Sequence, residues 1–124
     1  MSLASELREV LKLRDEVEER SQGNDYYSIQ QCCKKEISLL TADMDETIRF
    51  LDTECTGDEY VWLSEVFDDV AEITQSRRFI EALYQLADKY PEETKEYNIL
   101  SFIESAEAGI WDDDDEEASD QNGA

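Results

Sequence analysis

Apolar positions recur at helical spacing along almost the whole chain. Leu3, Leu7, Val10, Leu11 and Val17 mark one stripe over the first twenty residues, and Gly23-Asn24 supplies its stop signal. From Tyr26 the pattern continues through Ile29, Cys33, Ile37, Leu40, Met44, Ile48, Leu51 and Cys55, an average step of about 3.6 residues without loss of phase. A single long helix over 26–55 is the favoured reading. Its competitor is a break at Thr41-Ala42-Asp43, with Thr41 as N-cap.

Thr56-Gly57-Asp58-Glu59 fits the T-x-x-E capping box, in which the Thr hydroxyl and the Glu carboxylate satisfy each other's backbone amides. It predicts a helix from Asp58 to about Ile73. Thr74-Gln75-Ser76 then gives a polar break and the next cap, and Phe79, Ile80, Leu83, Leu86, Ala87 and Tyr90 trace the buried stripe of a further helix. Pro91 ends that helix, because proline disfavours helical geometry in the residue before it, and suits the first position of a short turn over Glu92 to Tyr97. Ile99, Phe102, Ile103, Ala106 and Ile110 complete the pattern with a last amphipathic helix.

No segment alternates with period two, and one proline and four glycines leave few of the turns a sheet requires. The expected fold is all-α, a compact bundle or stacked helical hairpins of about five helices. Residues 1–111 form one domain on this reading, with Trp111 as a lid on the last helix. Residues 112–124, DDDDEEASDQNGA, form a disordered acidic tail.

Charge narrows the function. The chain holds 33 acidic and 11 basic residues, a formal net charge of −22. A phosphate backbone or an anionic membrane is therefore excluded as a direct partner. There is no histidine, which removes the commonest general base and metal ligand together. Cys32, Cys33 and Cys55 are odd in number and suggest no disulfide framework. Free, mostly buried thiols in a reducing compartment are the expectation. The N-terminal segment carries charges from Glu6 and Arg8 and lacks a signal-peptide core, and no run is long enough for a membrane helix. A cytoplasmic monomer is expected, since charge of one sign opposes self-association.

The tail does not account for all the acidity. Between Glu36 and Glu72 a dense series of Asp and Glu faces only Arg49 in sequence. Such a middle repels itself, which suggests that it meets a basic partner; the alternative is a plain solubilising surface. On a straight helix after the capping box, Leu63, Val66, Phe67 and Val70 cluster on one side. Asp58, Glu65, Asp69 and Glu72 stack on the other, and Trp62 falls between. A tryptophan beside a carboxylate stripe has the makings of an interface anchor, and equally of a half-buried core residue.

Chemistry has little to work with. Many carboxylate pairs fall together by chance among so many acids, and none marks a catalytic pair. Asp43-x-Asp45 and DDDDEE lack the alternating ligands, central glycine and terminal glutamate of a calcium loop. Phosphate loops and zinc spacings are missing. No enzyme activity, cofactor or metal is expected.

The block CTGDEYVWLSEVFDDVAEITQSRRFIEALYQLADKYPEETKEYNILSFIESA, from Cys55 to Ala106, resembles the small acidic all-helical immunity proteins of bacterial polymorphic or contact-dependent toxin systems. WLSEVFDD is its most distinctive part. The tyrosine-rich signature of colicin-nuclease immunity proteins is missing. The resemblance implies a basic toxin domain, a nuclease by preference, neutralised by stoichiometric binding to an acidic surface. Trp62 is then the anchor, Glu65, Asp69 and Glu72 the charge contacts, and Asp58 the rim. Two rivals stand beside it: a nucleic-acid mimic that inhibits a DNA-binding enzyme, and a helical adaptor whose acidity is only solubility.

Overall fold

Ser2 starts the first helix: its hydroxyl accepts from the Ser5 backbone N–H at 3.1 Å. Helix α1 then runs over Leu3–Ser21 and closes where Gln22 turns left-handed at φ 55°. The computed structural model describes residues 2–22 and 24–110; the expectations for Trp111 and the acidic tail lie outside the described residues. Asp25 caps α2, Tyr26–Ala42.

The long helix expected over 26–55 is broken. Asp43 is extended at φ −151° and ψ 101°, and its carboxylate accepts from the N–H groups of Asp45 and Glu46 to start α3, Met44–Thr53. Thr41, the candidate cap, instead donates its hydroxyl back to the Ile37 carbonyl at 2.8 Å. The break frees carbonyls at the end of α2, and the buried Thr47 hydroxyl donates to one of them, Leu40, at 2.8 Å.

The capping box forms as read: Glu59 N–H donates to the Thr56 hydroxyl at 3.2 Å and Thr56 N–H donates to the Glu59 carboxylate at 3.0 Å. Helix α4, Gly57–Leu63, does not continue straight to Ile73. A 3-10 turn at Ser64–Val66 separates it from α5, Phe67–Thr74. Such a turn advances about 120° per residue against about 100° in an α-helix, so α5 is rotated relative to a straight continuation of α4. Gln75 is left-handed at φ 50°, and Ser76 caps α6, Arg77–Lys89. Pro91 takes the first position of α7, Pro91–Glu96. A left-handed Asn98 leads into α8, Ile99–Ala108. The described residues are thus all-helical without strands, in more segments than the five expected.

Helices α1 and α2 pack together, and the short link over residues 22–25 makes them an antiparallel hairpin. The hairpin's second helix rests on α5, α3 pairs with α6, and both α5 and α6 pack on α8. The common core joins Phe50 and Leu51 of α3, Leu63 and Phe67, Phe79 and Leu83 of α6, and Ile99 and Ile103 of α8. Phe67 meets Phe79 edge-on, with ring centroids 6.1 Å apart. Leu63, Val66, Phe67 and Val70 are all buried, as the helical pattern requires.

Two tyrosines fasten α7 to the rest. The Tyr90 hydroxyl donates to the Cys55 carbonyl at 2.8 Å, and the Tyr60 and Thr94 hydroxyls lie 2.7 Å apart. Gly57 permits the approach: a Cβ there would sit 2.8 Å from the Glu93 carboxylate and 3.3 Å from the Tyr90 ring.

Candidate functional site

Arg14 stands on the buried stripe of α1, one turn beyond Leu11, and its side chain is 1% exposed. A buried guanidinium must have its donors satisfied, and three carboxylates from three elements converge on it. Nε donates to Glu18 at 3.2 Å, Nη1 to Glu36 at 3.3 Å and Nη2 to Glu65 at 2.5 Å. Nη1 also reaches the Trp62 carbonyl at 3.5 Å, and the guanidinium carbon lies 4.9 Å from the Trp62 ring centroid. Trp62 is therefore held by its backbone and by a cation–π contact at once.

Burial raises Glu36, whose side chain is fully covered, and Arg14 only partly offsets that; its carboxyl is pushed up to about 7. Burial also opposes the Arg14 charge, but the fields of Glu36 and Glu65 outweigh it and move the guanidinium above its ordinary value. The native state thus holds a proton on Glu36 at pH values where the unfolded chain has released it. The stability this contributes is complete below about 4.5 and is lost as the pH rises through about 7. Glu36→Gln cannot titrate, so the stability of the wild type relative to this variant should fall across that interval in urea melts. A flat difference would show that Glu36 is ionised throughout.

Beside Trp62 opens a cleft of about 450 Å³. It is lined by Val61, Trp62 and Tyr97 and by five carboxylates: Glu18 from α1, Asp58 from α4, Glu65 from the 3-10 turn, and Glu93 and Glu96 from α7. No lysine or arginine lines it. Glu18 and Glu65 share Arg14, whereas Asp58, Glu93 and Glu96 make no ion pair among the described residues. Carboxylates on low-dielectric walls focus a negative potential, and the aromatic faces add to the attraction for a cation. The arrangement suits capture of a positively charged side chain.

The cleft gathers some of the residues singled out by sequence and leaves others aside. Asp58, Trp62 and Glu65 line it, with Trp62 half-buried and both acids exposed. Asp69 and Glu72 are exposed but lie on α5, past the 3-10 turn, and do not line it. The cleft thus draws its carboxylates from three helices and a turn, and takes in two of the four acids of the stripe. Glu18, Glu93, Glu96 and Tyr97 were not singled out, because they come from separate elements that only the tertiary fold assembles.

The acidic middle also has more compensation than its sequence suggests. Arg14 pairs with Glu36 and Glu65 from far upstream, Arg78 meets Asp45 at 2.8 Å, and Arg8 meets Glu59 at 2.6 Å. Burial works against the Glu59 charge, but bonds from Arg8 and Thr56 hold its carboxyl below the ordinary range.

The cysteines take no part in the cleft. All three are free; Cys32 and Cys55 are buried and Cys33 is half-buried. Burial raises each thiol, and Cys55 is pushed up to about 12. Among the described residues no group of three or more Cys, Asp or Glu has the geometry of a metal site, and no helix is long and apolar enough to cross a membrane.

The chain is thus all-helical among the described residues and carries an acidic, aromatic-lined cleft. Comparison with known proteins gives no matching family model, no similar curated protein and no solved structure of significant likeness.

Proposed function

We propose that the chain is an immunity-type inhibitor that binds a basic toxin domain, a nuclease by preference, in a stoichiometric complex without turnover. The observation that supports this reading most is the cleft at Trp62, where Asp58, Glu93 and Glu96 gather beside two aromatic rings with no lining cation. A nuclease carries a positive surface to hold phosphates. An acidic protein that meets that surface associates fast and excludes substrate. The partner is thus a protein cation, and neither nucleic acid nor membrane is engaged directly.

The adaptor reading draws support from two exposed aromatic side chains, Tyr97 and Phe102, on the neighbouring face. Salt separates the two. Co-expression with the toxin domain encoded beside its gene should yield an equimolar complex, suppress the toxin's activity one to one, and show association that slows steeply with ionic strength. A complex indifferent to salt would favour the adaptor, and no complex with any basic domain would overturn the proposal.

A further inference from the structure

The cleft does not end at Tyr97. A second cavity of about 530 Å³ shares Val61, Glu65 and Tyr97 with it and extends to Ser64 and Phe102. The two form one groove whose halves differ in chemistry. The half at Trp62 carries Asp58, Glu93 and Glu96; the other offers Phe102, 38% exposed, and a face of Tyr97, itself 51% exposed, with Glu65 at the junction. A phenylalanine and a tyrosine left this open beside a charged cleft bury apolar area only when a partner covers them.

We infer that the groove reads a two-part segment of the partner: a lysine or arginine seated between Trp62 and the carboxylates, with an apolar or aromatic side chain close by in the same segment resting on Phe102 and Val61. This rests on the reading above in that the partner is basic. Charge decides the occupant. A second copy of the chain carries the same −22, and the chain's own DDDDEE segment has the sign of the cleft. Both are repelled, whereas a cationic segment of another protein is attracted and gains apolar burial at its neighbour.

The test uses the full chain with Trp111→Phe, which leaves Trp62 as the only tryptophan and its fluorescence as the readout. Three Gly/Ser-spaced hexapeptides serve as probes: one with two arginines, one with two arginines and a phenylalanine, and one with the phenylalanine alone. The mixed peptide should bind about tenfold more tightly than the arginine peptide, the gain expected from partial burial of one aromatic side chain. Phe102→Ser should erase that gain without moving the arginine peptide, and Phe102→Leu should keep most of it. Asp58→Asn with Glu93→Gln should weaken both arginine peptides. Circular dichroism of each variant checks that the helices persist.

Equal affinity of the two arginine peptides would overturn the two-part reading and leave a basic partner in place. Tightest binding by the phenylalanine peptide alone would overturn both. Failure of all three peptides to perturb Trp62 would overturn the groove as the docking site, while the co-expression experiment still decides whether a basic toxin is bound elsewhere on the surface.

Discussion

Arg14→Met should lower the unfolding free energy by about 3–5 kcal/mol, the cost of stranding a buried charge whose partner is removed. Methionine fills the space of the aliphatic stem, so the loss measures the missing charge and bonds more than a cavity. Glu36 is left with no exposed surface and no cation, and Glu65 and Glu18 lose their common partner. The cost is greatest above about pH 7, where Glu36 is ionised, and shrinks in acid as it takes up a proton. Arg14→Met with Glu36→Leu should recover most of the loss, since replacing both members of a buried pair by apolar groups is often close to neutral. Urea unfolding of the single and double variants checks this. A loss below about 1 kcal/mol in the single variant would place Arg14 in contact with water, as an exposed pair would be.

Trp62→Ala should weaken the complex with a basic partner by about 2 kcal/mol or more, roughly thirtyfold, if the cleft is the centre of the interface. The effect belongs in the dissociation rate, because the ring supplies short-range contact while the surrounding acids set the approach. Charge neutralisation then sorts the acids by position. Asp58→Asn and Glu65→Gln, within the cleft, should change dissociation; Asp69→Asn and Glu72→Gln, outside it, should change only the salt-dependent association rate. Unchanged affinity in a folded Trp62→Ala protein would remove Trp62 from the contact. Equal effects from all four acids would restore a diffuse acidic face in place of a cleft.

Local chemistry was legible wherever a residue acts on its own backbone. Thr56 and Glu59 build the predicted capping box, Ser76 caps the following helix, and Pro91 takes the first position of α7. The break at Asp43 was legible only as the competing reading, because α2 and α3 each direct an apolar stripe into the same core and keep phase across the joint. The decisive signal was the Asp43 carboxylate, two residues past the threonine that looked like the cap. The buried faces also sit slightly off the simplest reading. In α2 it is Cys32, Glu36 and Leu40 that are buried, so a charged residue occupies a stripe position that Cys33 and Ile37 had been expected to define.

The same holds for Arg14, which continues the series Leu7 and Leu11 but reads as surface by its charge. A buried Arg and a buried Glu are each improbable alone and become sensible only as a pair, and pairing across residues 14, 36 and 65 is invisible to periodicity. The site divides along the same line. Trp62 and its neighbours Asp58 and Glu65 were legible because they share one stretch of chain; Glu93, Glu96 and Tyr97 reach the cleft only because Tyr60 and Tyr90 fasten α7 against α4.

The covered cysteines have a consequence for the protein's chemical lifetime. Attack on disulfides and on alkylating electrophiles proceeds through the thiolate, and all three thiols are held toward their protonated form. Cys55 is the extreme, wedged at the joint between α3 and α4 with its sulfur against the Thr56 carbonyl. For such a group, oxidative damage requires the opening of the helices around it, so its rate scales with the population of the open form. At Cys55, chemical modification therefore reports the opening of the joint between α3 and α4, whereas the half-buried Cys33 sets no such condition.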